Sequence, residues 1–316
     1  MLSVNNEIDK KDRIDDMVKI LHNLCENCPC KVIKWLEEHD NYEYLIFKKN
    51  NAGNNMLMIL CNSVPHTNIH IHNRRVAAIN DFIVSKYMSH ELLWQQNNSL
   101  NTVLHIMCKN YPELVNPFLK LSIMSEDFLL VQNKTKHTSL HVSCEYNHES
   151  VYDIMKSQFC TRKLLMVQNS VGSTALHMAC MYGLNLVKFI LGSEFCSPEL
   201  LMQVDSFYYT DSVGGRGSMA KRKRNYNPLM FACRFFPHVV NTILTSEHCT
   251  NSVLLQTDLY NMHFNDIFKQ YNKNSIIVLN YDKKIFKQKH KIFHSNIFTN
   301  IIGKNSTYDS LIDSHD

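Results

Sequence analysis

The feature that most constrains this chain is a repeat with a period of 36 residues. Thr102, Leu104, His105 and Cys108 recur as Thr138, Leu140, His141 and Cys144, and again as Thr174, Leu176, His177 and Cys180. The register extends upstream through Gln96-Asn97, Gln132-Asn133 and Gln168-Asn169, each preceded by an apolar pair: Leu93-Trp94, Leu129-Leu130 or Leu165-Met166. A period of this length gives each unit the same local structure and leaves it an apolar face that only its neighbours can bury, so the units must stack. Weaker copies keep the leucine-then-cysteine spacing at Leu21/Cys25, Leu57/Cys61 and Leu229/Cys233. The steps from Leu57 to Leu104 and from Leu176 to Leu229 are 47 and 53, which place insertions of 11 and 17 residues. With a worn half-copy starting near Gln256 and Asp258, about six or seven units cover residues 13–270.

Within one unit the apolar spacing is helical. Leu176, Ala179 and Cys180 fall on one face, and Leu186, Val187, Ile190 and Leu191 do the same after the Tyr182-Gly183 turn. Each unit is therefore expected to be a pair of short helices, close-packed through its alanine and cysteine positions. "FCTRKLLMVQ" (159–168), "FCSPELLMQ" (195–203) and "HCTNSVLLQ" (248–256) carry a Ser, Thr or Asn before an apolar pair. They predict an extra helical turn per repeat, with Ser197 as its cap and Pro198 at its first position.

"TVLH", "TSLH", "TALH" and "NPLM" open the first helices, and with the period they resemble the ankyrin repeat, whose signature there is threonine-proline-leucine-histidine. The resemblance implies an all-α solenoid of stacked helix-turn-helix units with hairpin-loop tips, some units carrying the extra turn. Two departures stand out. The unit is 36 residues long where about 33 is usual, and the glycine expected after the first helix survives only as Gly183. Asn147 is then expected to take the left-handed conformation in its place. By the same resemblance His105, His141 and His177 hydrogen-bond within and between repeats, and other proteins dock on a concave surface of first helices and tips. Carried over by register, the tips are Asn51–Asn54, Asn98–Asn101, Lys134–His137 and Ser170–Ser173, and the free first-helix positions include Lys109, Glu145, Tyr146, Met181 and Tyr182. Tyrosine suits an anchor, burying much area with few torsions to freeze; Tyr146 and Tyr182 could equally cover the turn between helices.

The 11 cysteines need a place. Cys25, Cys61, Cys108, Cys144, Cys180 and Cys233 share the first-helix position, and Cys160, Cys196 and Cys249 each follow such a cysteine by 16 residues. They read as small buried hydrophobes in a reducing compartment. Cys28 and Cys30 complete "CENCPC" with Cys25, a beginning for a zinc site that lacks a second pair at finger spacing. His66, His70 and His72, in the 11-residue insertion, are expected in an exposed polar loop. No metal and no cofactor is expected.

Hydrophobic residues make up 45% of the chain, enough for a core, and no apolar run approaches the length of a membrane span. The N-terminus is not a signal peptide, so the expectation is a soluble chain, cytoplasmic and possibly nuclear. No phosphate loop, nucleophile elbow or His-Glu-x-x-His is present, so neither catalytic residues nor a small-molecule substrate is expected. The 17-residue insertion lies within 206–226 and reads "SFYYTDSVGGRGSMAKRKRNY". It is expected to be flexible and exposed. Tyr208, Tyr209 and Arg216 would make it a partner-contact finger; Lys221, Arg222, Lys223 and Arg224 would make it a nuclear-import signal, or simply a solvated charge run. Residues 1–12 are expected to be disordered, 271–303 to form a C-terminal capping and basic segment with Lys283, Lys284, Lys287, Lys289 and Lys291, and 304–316 to be a disordered tail. With a formal net charge of only +4, nucleic acid is not the expected main partner. The expected function is a non-catalytic adaptor or scaffold for another protein; the alternative is a nuclear regulatory protein that uses its basic clusters for import or nucleic-acid contact.

Overall fold

The computed structural model describes residues 2–62, 68–206, 208–212 and 219–272, with backbone alone for 2–12, 40–43, 208–212 and 219–222. It forms two compact units, residues 1–170 and 171–316. The expected capping segment beyond residue 272 and the tail at 304–316 lie outside the described residues.

The first unit contains α1 (Leu2–Asn27), α2 (Val32–Glu38), α3 (Met56–Asn62), α4 (Ile69–Ile83), α5 (His90–Trp94), α6 (Val103–Asn110), α7 (Val115–Leu119), α8 (Glu126–Leu129), α9 (Ser139–Tyr146), α10 (His148–Lys156) and α11 (Arg162–Met166). The first helices of successive repeats, α1, α3, α6 and α9, pack one on the next. Their shared register explains the core: Leu21, Leu57, Leu104 and Leu140, with Cys25, Cys61, Cys108 and Cys144, are all fully buried. Burying a leucine of this kind contributes about 1.5–3 kcal/mol, and the cysteines are what let adjacent helices approach.

The second unit repeats the plan with α12 (Ala175–Tyr182), α13 (Leu184–Leu191), α14 (Pro198–Met202), α15 (Pro228–Phe235), α16 (Pro237–Leu244), α17 (Asn251–Leu255) and α18 (Phe264–Tyr271). First helices α12, α15 and α18 pack in series, as do α13 on α16 and α14 on α17. Between α14 and α15 runs an antiparallel pair, β1 (Tyr208–Ser212) and β2 (Met219–Lys223).

The extra helical turn is present as α5, α8, α11, α14 and α17. Ser89 and Ser125 cap α5 and α8, accepting from Leu92 N–H and Phe128 N–H at 3.2 and 3.3 Å. Ser197 departs from expectation: it stands at the N-cap of α14 with Pro198 next to it, yet its buried hydroxyl makes no hydrogen bond. The Leu200 N–H that such a cap would serve donates instead to Ser197 O at 3.1 Å.

Three other expectations are corrected. Residues 2–12, expected to be disordered, are helical backbone continuous with α1. The stretch to Asn27 holds no Pro or Gly, and Glu7/Lys11 and Asp9/Arg13 stand at the spacing that supports a helix. Asn147 is not left-handed: its φ is −155°, extended backbone, and it caps α10 by accepting from Glu149 N–H at 3.0 Å. The left-handed residue sits instead two places before each first-helix cap, at Gly53, Leu100, Lys136, Gly172, Asn225 and Asn261. The 11-residue insertion is largely helix rather than loop. Asn68 caps α4 by accepting from His70 N–H at 2.9 Å, and His72 Nε2 lies 2.6 Å from Glu113 Oε1, an acid the sequence stretch itself does not contain. His66 falls outside the described residues.

Candidate partner-binding surface

Each signature threonine and histidine forms one capping unit at the start of a first helix. His105 Nδ1 accepts from Thr102 N–H at 3.3 Å and lies 2.8 Å from its hydroxyl; Thr138 with His141, and Thr174 with His177, repeat the geometry. With Nδ1 accepting, the proton sits on Nε2, which in His105 donates to His137 O at 3.0 Å and in His177 to Tyr226 O at 3.1 Å. Each of these two rings thus ties its helix start to the next repeat's tip. Burial holds both imidazoles down at about 4, with the accepting carbonyl pulling the other way.

The tips are organised just as regularly. Asn97 Oδ1 accepts from Ser99 and Asn101 N–H, and Asn133 Oδ1 from Thr135 and His137 N–H, so each asparagine closes its own turn. Its amide then reaches back one repeat, Asn97 to Asn54 at 2.8 Å and Asn133 to Asn101 at 2.9 Å. Lys134 N–H donates to Ser99 O and Ser170 N–H to Thr135 O, linking tip to tip. These groups are spent on the fold; among the exposed apolar side chains, one recurrent set stands at the ends of the first helices.

There the structure adds a pattern that the spacing alone did not reveal. Lys109, seven places after its cap, lays its ammonium 4.5 Å from the ring of Tyr146, eight places after the next cap. Arg234, also at the seventh place, lies 4.4 Å from the ring of Tyr271, again at the eighth. The same cation–π rung, worth about 0.5–1 kcal/mol where exposed, is thus built in both units. Tyr146 is 48% exposed, Met181 41%, Tyr182 37% and Phe235 38%, Lys109 is exposed and Glu145 partly so. Arg234, Phe235 and Tyr271 were missed in the sequence reading. Their signal lies in the spacing, since Phe235 follows Cys233 as Tyr146 follows Cys144, in a unit whose "NPLM" lacks the signature histidine.

The 17-residue insertion is not a plain linker. β1 and β2 pair from Tyr208 with Lys223 to Ser212 with Met219, as the strand propensity of Tyr-Tyr-Thr allows. The base is closed by Asp205, whose N–H donates to Tyr226 O at 2.9 Å and whose Oδ1 accepts from Tyr226 N–H at 3.1 Å. Tyr208 and Tyr209 lie on β1 and Lys221 and Arg222 on β2; Arg216 falls outside the described residues. Lys223 is exposed, but Arg224 is buried. Its Nη1 donates to Asp258 Oδ2 at 2.9 Å, and the guanidinium lies 4.4 Å from the Tyr260 ring. Arg224 therefore leaves the proposed import cluster: it does for the next tip what an asparagine amide does in the first unit.

Nine of the cysteines, all but Cys28 and Cys30, are buried free thiols. Burial pushes Cys108 and Cys144 up to about 12, so these are packing residues rather than nucleophiles.

The family model of ankyrin repeats matches residues 104–200 in three copies. No curated protein matches the chain. Among solved structures the chain is similar to the ankyrin repeat domain of Bcl-3, a member of the IkappaB protein family, with a TM-score of 0.51 at 15% identity, covering 78% of this chain and 92% of that one. At that identity the likeness is one of fold. Period, capping units, tip geometry and both comparisons converge on an ankyrin-repeat fold, with the family's repeats themselves matched over residues 104–200.

Proposed function

We propose that this chain is a non-catalytic docking module that holds another protein against the ends of its first helices and its hairpin tips, as an adaptor or scaffold in the cytoplasm or nucleus. The observation that carries the reading is the recurrence, at the seventh and eighth places after the cap, of side chains more than a third exposed: Lys109 and Tyr146 in the first unit, and Met181, Tyr182 and Phe235 in the second. Exposed aromatic and methionine side chains beside cations are what interface anchors are made of. Nine buried free thiols fit a reducing compartment. Ankyrin repeats generally bind other proteins, which supports the class of function without naming the partner.

Affinity capture from cells with mass spectrometry tests it. A triple Tyr146→Ser, Tyr182→Ser, Phe235→Ser variant is expected to lose the captured proteins, while Met202→Ser with Leu255→Ser, exposed on α14 and α17, retains them. The reverse pattern would move the surface to the third helices and end this reading. The import alternative rests on Lys221, Arg222 and Lys223, since Arg224 is engaged in the fold.

A further inference from the structure

A cavity of about 320 Å³ in the first unit is lined by Glu26, Asn50, Asn54, Ile59 and Asn62. Glu26 and Asn62 stand near the ends of α1 and α3, at the register place that Lys109 takes on α6; Asn50 and Asn54 belong to the tip before α3, and Ile59 is buried. The tip wall is fixed. Asn50 Oδ1 accepts from Ala52 and Asn54 N–H, both at 3.0 Å, and the next tip holds this one through Asn98, whose backbone N–H donates to Ala52 O at 3.1 Å and whose amide donates to Asn51 O at 2.9 Å. Asn54 Oδ1 accepts in turn from the Asn97 amide at 2.8 Å. These bonds decide which end of each amide is oxygen. They leave the NH2 groups of Asn50 and Asn54 without a partner among the described residues, although Asn54 is only 3% exposed. The Asn62 side chain and the Glu26 carboxylate are free as well. Arg75 meets the backbone carbonyl of Glu26, not its carboxylate. Burial holds the His22 imidazole below its ordinary value, against the pull of the Lys48 carbonyl and of Glu26, so it is neutral at pH 7 and no counter-ion. Lys49, beside Asn50 in the chain, places its ammonium on Gln96 O at 2.7 Å.

We infer that this cavity takes an arginine side chain carried on an extended segment of a partner protein, with the guanidinium on Glu26 and Asn62 Oδ1 and the segment's own carbonyls on the NH2 groups of Asn50 and Asn54. The inference rests on the docking reading above and gives one subsite its chemistry. A free carboxylate calls for a cation, and a guanidinium suits it best: its planar fork bonds a carboxylate and a neighbouring carbonyl oxygen together, while its stem covers an apolar residue such as Ile59. Two unpaired NH2 donors call for acceptors, which an extended backbone supplies. Because the tip is already bonded to its neighbour, little freedom is lost when the segment docks. An acidic or phosphorylated segment would meet Glu26 as a like charge.

Random twelve-residue peptides displayed on phage are selected on the full chain. The best binder is then measured on the parent and on Glu26→Gln, Asn62→Ala, Tyr146→Ser and, as a control exposed on α5, Glu91→Gln, each checked by circular dichroism for an unchanged melt. Arginine is expected in excess among the binders. Glu26→Gln should weaken the best of them about tenfold or more, Asn62→Ala less, and Glu91→Gln not at all. Exchanging the peptide's arginine for lysine should keep part of the affinity, and exchanging it for glutamine should lose it. The proposal is overturned if nothing is selected, if the binders carry no arginine excess, if Glu26→Gln holds them as well as the parent does, or if N-acetylarginine amide alone binds as tightly, which would make the cavity a small-molecule site. Arginine-free binders lost on Tyr146→Ser would leave the docking surface standing with this subsite refuted. The exchanges in the peptide are read on the parent chain, so they decide the matter even where a variant melts early.

Discussion

Two hairpin tips of this protein carry out the same task over very different lengths of chain. Asn133 and Thr138 in the first unit are five residues apart, and Asp205 and Asn227 in the second are 22 apart. Yet His105 donates to His137 O at 3.0 Å and His177 to Tyr226 O at 3.1 Å, and the left-handed residue stands two before the cap in both, at Lys136 and Asn225. The fold fixes the two feet of the tip and leaves the length between them open. What changes is the chemistry of the lateral tie. The first unit links tips with a neutral amide, Asn133 to Asn101, whereas the second uses a buried ion pair, Arg224 with Asp258, whose side chains are 5% and 0% exposed.

The largest effect should come from breaking that tie. A buried ion pair stripped of one partner leaves an uncompensated charge, so Asp258→Ala is expected to cost about 3–5 kcal/mol. Asn133→Ala, which orphans neutral groups only, should cost roughly 1–3 kcal/mol. Urea unfolding of both variants measures the contrast, and equal losses would mean that the charge in the second tie is incidental.

Acid probes the part the two tips share. His105 and His177 have folded values of about 4 against 6.5 when unperturbed, so the fold favours the neutral ring. Their contribution is whole above pH 6.5 and is lost as pH falls towards 4. At 1.36 kcal/mol per unit the ceiling is ~3 kcal/mol for each ring. Denaturation at pH 7.5 and 4.5, with His105→Gln and His177→Gln in parallel, should show each variant less pH-sensitive than the parent. If His177→Gln alone left the pH response unchanged, the long tip would have loosened its foot after all.

The smallest effect is expected from shortening the long tip. Deleting residues 207–223 removes 17 residues and restores the five-residue spacing from Asp205 to the cap at Asn227, while keeping Arg224 and Tyr226. Because loop closure changes only slowly with length, stability should stay within about 1 kcal/mol by thermal melt. A large loss would make the β ribbon part of the core rather than an appendage.

Much of this was legible in the chain itself. The period, the threonine-histidine caps, the buried cysteines and the third helix of each repeat depend on residues within one unit or on its exact recurrence, and both leave a trace in spacing. The ribbon and the helical start at Leu2 went unread because the glycines and the charges, taken alone, describe loops as well as they describe a turn and an exposed helix. The rungs that form the candidate surface join residues 37 apart, Lys109 to Tyr146 and Arg234 to Tyr271, and neither partner announces the other.

The sequence by itself therefore determined that this protein stacks helical repeats, where each begins, and which residues cap it, because those features are local and repeated. Only the tertiary structure decided that Arg224 is a strut to Asp258 and that Arg234 lies among the rings of Tyr226, Phe235 and Tyr271. Both are arginines near a first helix, and their difference lies in the neighbours that stacking brings: a carboxylate at full burial for one, and a ring at a helix end for the other.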